Sequence, residues 1–315
     1  MRVLVTGGTG YLGRAVVSAL AARGHDLVIF ARSASRSGLP GAAIDGDIRD
    51  RAAVERAAAG CDAISHAAAL VSIWRRRAAD FDDVNVGGLR NVLAAAAAHR
   101  TPRLLYTSSF VAIPPRGRTT PLLANDYQRT KVEADRVAGE AVREGAPLIR
   151  VYPGVVYGPG AFTEGNLVGR LIADHLRHRL PGLVGPEQRW SYAYVDDVAA
   201  GHCAALERGE AGRRYVLGGE NAPQRRVFEI VQQLTGRRPP PRIPFPIAVL
   251  MGAAEELRVQ VFGGTPLITR GAVEIFRHDW SLDSAGAIRD LGYAPTPLDE
   301  GVKRTLASIE RATRS

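Results

Sequence analysis

The stretch that most constrains this chain is Thr6-Gly7-Gly8-Thr9-Gly10-Tyr11-Leu12-Gly13. Before it, Arg2 to Thr6 is a short β-branched run that reads as a buried parallel strand. After it, the sequence reads as a helix through Gly24. Gly7, Gly10 and Gly13 set a G-x-x-G-x-x-G spacing. Without Cβ atoms the chain can turn tightly and bring its backbone up to a pyrophosphate. The helix N-terminus then offers N–H groups and the positive end of its dipole to that anion. Strand, glycines and helix in this order predict an α/β fold, a doubly wound parallel sheet with a dinucleotide at its carboxyl edge. Gly7, Thr9, Gly10, Tyr11, Leu12 and Gly13 are the expected cofactor contacts of this loop.

The following strands can be traced in turn. Asp26 to Ala31 reads as the second, whose end sits beside the adenosine ribose in a dinucleotide fold. An acidic residue there would accept the ribose 2′-hydroxyl and favour NAD. Ala31 and Arg32 stand there instead, with Arg36 shortly after, so no carboxylate repels a 2′-phosphate and guanidiniums are at hand to pair with it. NADP(H) is therefore the expected cofactor, with NAD(H) as the alternative. Ala42 to Ile44 reads as the third strand. Beyond it, Asp47 can accept from the adenine amino group while Ile48 backs the ring. Asp62 to His66 reads as the fourth strand, ending in Ala67, Ala68 and Ala69, small enough for a cofactor to lie flat against them. A loop from Leu70 to Ala79 carries Trp74 and the arginines at 75 to 77 beside the cleft. Asp80 to His99 reads as one long alanine-rich helix. Arg103 to Thr107 reads as the fifth strand, ending in Ser108, Ser109 and Phe110 at the edge where ligands of open α/β sheets gather.

Tyr127 and Lys131 lie four apart on a helix of roughly Asn125 to Glu144, one turn from each other on one face. A phenol ordinarily titrates near ~10. A neighbouring ammonium favours the phenolate and lowers that value. The pair can therefore give and take protons in carbonyl–alcohol chemistry, with a serine hydroxyl from the fifth strand holding the substrate oxygen. The lysine is informative because, of 41 Lys plus Arg, only Lys131 and Lys303 are lysine. Arginine at 131 would keep the charge but not the compact, rotatable donor.

Leu148 to Val151 reads as the sixth strand. Tyr152-Pro153-Gly154-Val155-Val156-Tyr157-Gly158-Pro159-Gly160 then carries the turn chemistry of a chain leaving the sheet. Asn166 to Arg179 reads as a helix outside the core, and a strand at Arg214 to Leu217 returns to it. The expected division is a dinucleotide-binding body of residues 1–153 plus 192–218, and a smaller, mostly helical substrate lobe of residues 154–191 plus 219–315. Ile247 to Val261 reads as a helix too short to span a bilayer, able to shape an apolar pocket or an oligomer contact. No apolar run reaches ~18 residues, so no membrane span is expected. With no leader before Met1-Arg2-Val3, a cytoplasmic location is the expectation. Cys61 and Cys203 make neither a disulfide framework nor a metal cluster, and no metal is expected. The net charge of +9 comes from dispersed arginines. The chain lacks the lysine-rich tail, zinc spacing or basic aromatic stripe of a nucleic-acid binder, and no such partner is expected.

The glycine stretch, Ser109, Tyr127-x-x-x-Lys131 and the run from Tyr152 to Gly160 occur in an order that resembles the extended short-chain dehydrogenase/reductase family. It is similar in particular to the dihydroflavonol-reductase-like branch and its farnesol dehydrogenases. Ala67-Ala-Ala-Leu-Val71 with Trp74, Val84 to Leu89, Tyr106 to Phe110, and Arg189-Trp-Ser-Tyr192 before Val195-Asp-Asp197 carry that similarity. The resemblance implies a Rossmann-type fold, Ser109 as the catalytic serine, and Tyr127 as the proton donor. It implies that Lys131 tunes Tyr127 and bonds the nicotinamide ribose. It places pyrophosphate on Gly7, Gly10 and Gly13, adenine on Asp47 and Ile48, and the nicotinamide side near Ala67, Pro153 and Val155. Whether Ser108 shares the serine role stays open, and a homodimer is implied only by this similarity. Nucleotide-sugar epimerases, which the chain also resembles, often carry an arginine where Trp190 stands here; Arg189 is one position off.

The leading functional reading is an NADP-dependent oxidoreductase that interconverts a carbonyl and an alcohol on a small molecule. The alternative is a nucleotide-sugar epimerase or dehydratase using the same triad. A cofactor-sensing protein without catalysis ranks below both, because Ser109, Tyr127 and Lys131 are all present. The expected substrate walls are Ser72, Trp74, Phe110, Tyr157, Trp190 and Tyr192. They are mostly apolar or aromatic, and suit a hydrophobic or aromatic ketone, aldehyde or allylic alcohol.

Overall fold

Val3, Leu4 and Val5 are fully buried, and a strand with no wet face belongs in the middle of a sheet covered on both sides. The structure, a computed structural model describing residues 1–314, places β1 (Arg2–Thr6) there. On one side β1 pairs with β2 (Asp26–Ala31), and β2 with the exposed edge strand β3 (Ala42–Asp45). On the other side follow β4 (Ala63–His66), β5 (Arg103–Thr107), β6 (Leu148–Pro153) and a last strand at Arg214–Leu217. All the pairings are parallel. The chain crosses back from the edge at β3 to β4, so the strand order reverses between β1 and β4, and the crevice beyond the carboxyl ends at such a switch point is where open α/β sheets bind ligands.

Helices cover both faces. α1 (Tyr11–Ala22) buries Val16, Val17 and Leu20 against Val3, Val5 and Leu105. On the opposite face lies α2 (Arg51–Ala58), with Val54 against Leu4 and Val28. The stretch Asp80–His99, expected as one helix, is interrupted. A turn of helix α3 (Ala79–Phe81) runs into a π-helical segment at Asp82–Gly87 before α4 (Gly88–Ala98). The wider turn accompanies an inward Asn85, whose Oδ1 accepts from Leu70 N at 2.7 Å while its Nδ2 donates to Thr130 Oγ1 at 3.0 Å. The loop at Leu70 is thereby pinned to α5 (Asp126–Arg143). A single widened turn leaves the 3.6-residue apolar period nearly intact, so periodicity does not announce it.

Beyond β6 the chain builds the lobe, returning once to the central body at residues 195–217. It runs through β7 (Val155–Tyr157), α6 (Leu167–Leu176), β8 (Leu183–Val184), β9 (Arg189–Tyr194), α7 (Val195–Arg208) and β10 (Arg214–Leu217). Then come β11 (Glu220–Pro223), α8 (Gln224–Thr235), β12 (Arg242–Ile243), α9 (Phe245–Phe262), α10 (Arg270–Phe276), α11 (Ala285–Leu291) and α12 (Leu298–Arg314). The lobe is mostly helical, as expected, and also carries two small sheets. β9 pairs in parallel with β7 and antiparallel with β11, and β8 pairs with β12. Tyr192 lies in that small sheet, so the return to the central body comes with α7, whose Val198 and Cys203 join the core beside α1. The lobe has its own core around Tyr157, Ile172, Trp190, Phe228 and Trp280. No helix among the described residues is long and apolar enough to cross a membrane.

Candidate active site

The N-terminal turn of α5 is fixed from several directions. Asn125 caps it by accepting from Gln128 N at 2.8 Å. The Gln128 amide is itself buried and donates to Val111 O at 3.1 Å. Tyr127 stands in this turn and opens onto the cleft. One turn on, Lys131 is 3% exposed and its Nζ donates to Thr107 O at 3.0 Å. The ammonium also lies 5.4 Å from the Tyr106 ring centroid. Beneath it, His66 stacks on Tyr106 and its Nδ1 is bonded to Thr6 Oγ1 at 2.7 Å. The two serines after β5 face different ways. Ser109 caps the short turn Phe110–Ala112 and faces the Tyr127 phenol. Ser108 Oγ donates to Asp135 Oδ1 at 3.3 Å, an oxygen that also receives the Tyr152 hydroxyl at 2.5 Å.

The electrostatics differ from the simple expectation that the ammonium lowers the phenol. Burial pushes the Tyr127 phenol above its ordinary value, and the influence pulling it down is the Ser109 hydroxyl rather than Lys131. Lys131 is moved toward neutrality. Burial drops it from 10.5 to about 8, with Asp135 opposing the fall. His66 is held neutral, lowered to about 3 by burial and by Lys131. Asp135 thus supports the charge on Lys131 from one turn along α5, a role that no motif in the sequence announced.

The lowered lysine has two consequences of opposite sign. Between about 8 and 10.5 the folded protein binds fewer protons here than the unfolded chain, so this group makes stability rise with pH across that window. The charged form, which a bound anionic cofactor favours, is lost in the free protein over the same window. Cofactor affinity measured by fluorescence titration should therefore fall as pH passes about 8, and Lys131→Met should bind more weakly with that limb absent. The same pH dependence in the Met variant would assign the limb to another group.

A cleft of about 1590 Å³ runs from the glycine loop to the lobe. Gly7, Thr9, Gly10, Tyr11, Leu12 and Gly13 line one end, with Arg32, Asp47 and Ile48, and Ala67, Ala68, Ala69, Pro153 and Val155 line its middle. α1 has no side-chain cap at Gly10, which leaves first-turn N–H groups without a helical acceptor. That cradle fits a dinucleotide pyrophosphate. Arg36 does not line the cleft; its guanidinium turns back onto Ser33 Oγ at 3.1 Å. Arg49 does line it, and grips both oxygens of Asp47 at 2.9 and 2.6 Å. This ion pair holds the Asp47 carboxyl below its ordinary range. Its place beyond the third strand pointed to Asp47 but could not show that its partner lies two residues on.

At the other end Ser72, Phe110 and Trp190 line the cleft. Ser72 Oγ donates to Trp74 O at 2.8 Å, and the neighbouring Ile73 N donates across the cleft to Glu164 at 2.9 Å. Three expected wall residues are elsewhere. Trp74 is half-buried on the loop, off the cleft. Tyr157 and Tyr192 are fully buried in the lobe core, their rings edge-on at 6.3 Å. Trp190 and Tyr192 are two apart on β9 and share a face, as Val155 and Tyr157 do on β7, so what parts them is how far along each strand the cleft reaches. The sequence did not reveal the wall from α10, where Ala272, Ile275 and Phe276 face the cleft and Phe276 stacks on Trp190 at 4.9 Å. Those residues lie far along the chain in a helix with no motif.

Residues 3–218 match the family described as NAD dependent epimerase/dehydratase. The chain is 33% identical to sterol demethylase protein B of Methylococcus capsulatus, with 94% of each chain covered. It is 32% identical to 2-alkyl-3-oxoalkanoate reductase of Stenotrophomonas maltophilia, covering 98% of this chain and 99% of that one. Among solved structures, that of gox2253 superposes with a TM-score of 0.83 at 30% identity, covering 99% and 98% of the two chains.

Proposed function

The chain belongs to the NAD dependent epimerase/dehydratase family, and we propose that within it this protein is an NADP(H)-dependent oxidoreductase interconverting a carbonyl and an alcohol on a hydrophobic or aromatic small molecule. The family brings a nicotinamide cofactor, which supplies or accepts the hydride when bound. The Tyr127 phenol gives a proton to the carbonyl oxygen in reduction and takes it back in oxidation. Ser109 holds that oxygen beside the phenol. Lys131, oriented by the Thr107 carbonyl and backed by Asp135, keeps positive charge near the developing alkoxide.

One observation carries this reading: Ser109, Tyr127 and Lys131 line the same cleft as Phe110, Trp190, Ile275 and Phe276. Apolar walls with a few orienting polar groups select apolar ligands. The names of two relatives, with their sterol and alkyl skeletons, support the same class. The epimerase alternative is weakened by Arg189, which is exposed and spends its guanidinium on the Asn221 carbonyl while Trp190 takes the cleft position.

The test is a panel of aryl ketones, terpenoid aldehydes and UDP-sugars, followed by NADPH consumption and product analysis. Turnover of an apolar carbonyl is expected. Conversion of UDP-sugars with no net cofactor change, and no activity on any apolar carbonyl, would promote the epimerase. The cofactor preference has its own check. Arg32 is exposed at the cleft rim and makes no ion pair among the described residues, so it is free to meet a 2′-phosphate. NADPH should bind more tightly than NADH, and Arg32→Asp should reverse the order. Equal affinities in the unaltered protein would make Arg32 a surface residue only.

A further inference from the structure

The outward face of α9 is exposed along its length. Ile247, Leu250, Met251, Leu257 and Val261 are exposed, Leu250 at 71%, and Phe262 at the helix end is 83% exposed. With Ala254 between them they follow the three- and four-residue steps of one helix stripe. The opposite face, Ala248, Gly252 and Val259, is buried. A Cβ on Gly252 would lie 2.8 Å from Arg270 N, so the glycine lets the start of α10 press close. The charges of α9 are answered within the protein. Glu255 meets Arg258 and the Leu267 amide, and Glu256 meets Arg270.

The approach to α9 is basic. Arg237, Arg238 and Arg242 precede it, and the Arg237 guanidinium bonds the carbonyls of His175 and Leu176 at 2.6 Å, which brings Arg177 and Arg179 alongside. Asp174 is the sole carboxylate in residues 174–183 and 236–244. None of these five arginines pairs with a carboxylate among the described residues.

We propose that α9 and this arginine segment form a docking surface for an anionic lipid bilayer, with the stripe at the acyl boundary and the guanidiniums among the headgroups. A second copy of the chain fits less well. A helix of 18 residues is ~27 Å long and ~10 Å across, well short of the ~800 Å² that each partner of a stable dimer contributes. A symmetric pair also brings two copies of the same basic segment to one interface. Beneath α9, α10 lines the cleft through Ala272, Ile275 and Phe276, so the apolar end of the cleft lies one helix from the lipid. The surface rests on its own residues and stands whichever substrate the cleft takes.

The full chain is sedimented with vesicles of phosphatidylcholine alone and of phosphatidylcholine with phosphatidylserine. Binding to the phosphatidylserine vesicles is expected, weaker by at least ~10-fold on phosphatidylcholine alone and in an Arg238→Glu/Arg242→Glu variant. A Leu250→Glu/Leu257→Glu variant should lose a similar factor. Both variants alter exposed side chains, and unchanged circular dichroism and cofactor affinity check that they fold. Absence of binding to the phosphatidylserine vesicles, or binding that the leucine substitutions leave intact, overturns the proposal. So does a lipid-free dimer that the same leucine substitutions dissociate, which would make the stripe a self-interface.

Discussion

Replacing Tyr127 by Phe should leave a protein that folds and binds its cofactor but turns over ~10²–10⁴-fold more slowly, the usual worth of a positioned proton donor. The reasoning is local. The substitution removes one oxygen. That hydroxyl supports no helix cap and no contact that holds α5 in place; those tasks fall to Asn125 and Gln128. Ser109 keeps its place at the cap of the Phe110–Ala112 turn, and Lys131 keeps its bond to the Thr107 carbonyl. What disappears is the group able to pass a proton to the substrate oxygen. The measurements are kcat on a substrate from the carbonyl panel, cofactor affinity by titration, and the thermal midpoint. A large fall in kcat with the other two nearly unchanged is the expected pattern. A rate close to normal removes Tyr127 from the mechanism, whatever the fold.

Which parts of this molecule could be read from the sequence follows from how local each signal is. The sheet was legible because its strands are short apolar runs and each ends in residues with a single local use. Gly7 to Gly13 follow β1, Ala67 to Ala69 follow β4, and Ser108 and Ser109 follow β5. The Tyr127–Lys131 spacing was legible because both sit on one helix. Three features were not. The π turn that aims Asn85 at Leu70 changes one turn without changing the apolar period. The Asp135 contacts with Ser108 and Tyr152 join residues brought together by the sheet. The α10 wall of the cleft is more than a hundred residues from the strand ends it faces. Tyr157, Trp190 and Tyr192 read alike as aromatics near the cleft, and all three join one buried cluster. Trp190 and Tyr192 even share a face of β9, so no strand pattern tells them apart; only the packing of the lobe decides that the cleft reaches Trp190 and stops short of the two tyrosines.

The glycine loop allows a sharper test than its spacing suggests, because its glycines are not equivalent. Gly13 lies inside α1, where alanine would ordinarily favour the helix by about 1 kcal/mol over glycine. A Cβ there would, however, sit 2.0 Å from Gly7 O and 2.9 Å from Gly8 Cα. Both are backbone atoms and cannot swing aside as a side chain end can. Gly7 cannot retreat either, since its φ is +75° and a Cβ on it would already lie 2.5 Å from Ala68 N. Gly13→Ala must therefore move α1 off the loop. The expected cost is ~1–3 kcal/mol or more of stability from overpacking. Cofactor affinity should fall at least ~100-fold, because the first-turn N–H groups leave the pyrophosphate position. Gly10 offers the contrast. Its φ of −74° suits any residue, and a Cβ there meets only Gly7 O at 3.3 Å, so Gly10→Ala should keep most of the stability. If the backbone there approaches a pyrophosphate, its added methyl should cost affinity without unfolding anything. Thermal unfolding and cofactor titration of the two variants separate the roles. A Gly13→Ala protein as stable as the unaltered chain and binding cofactor normally would show that the close approach at Gly7 is not what shapes the cradle.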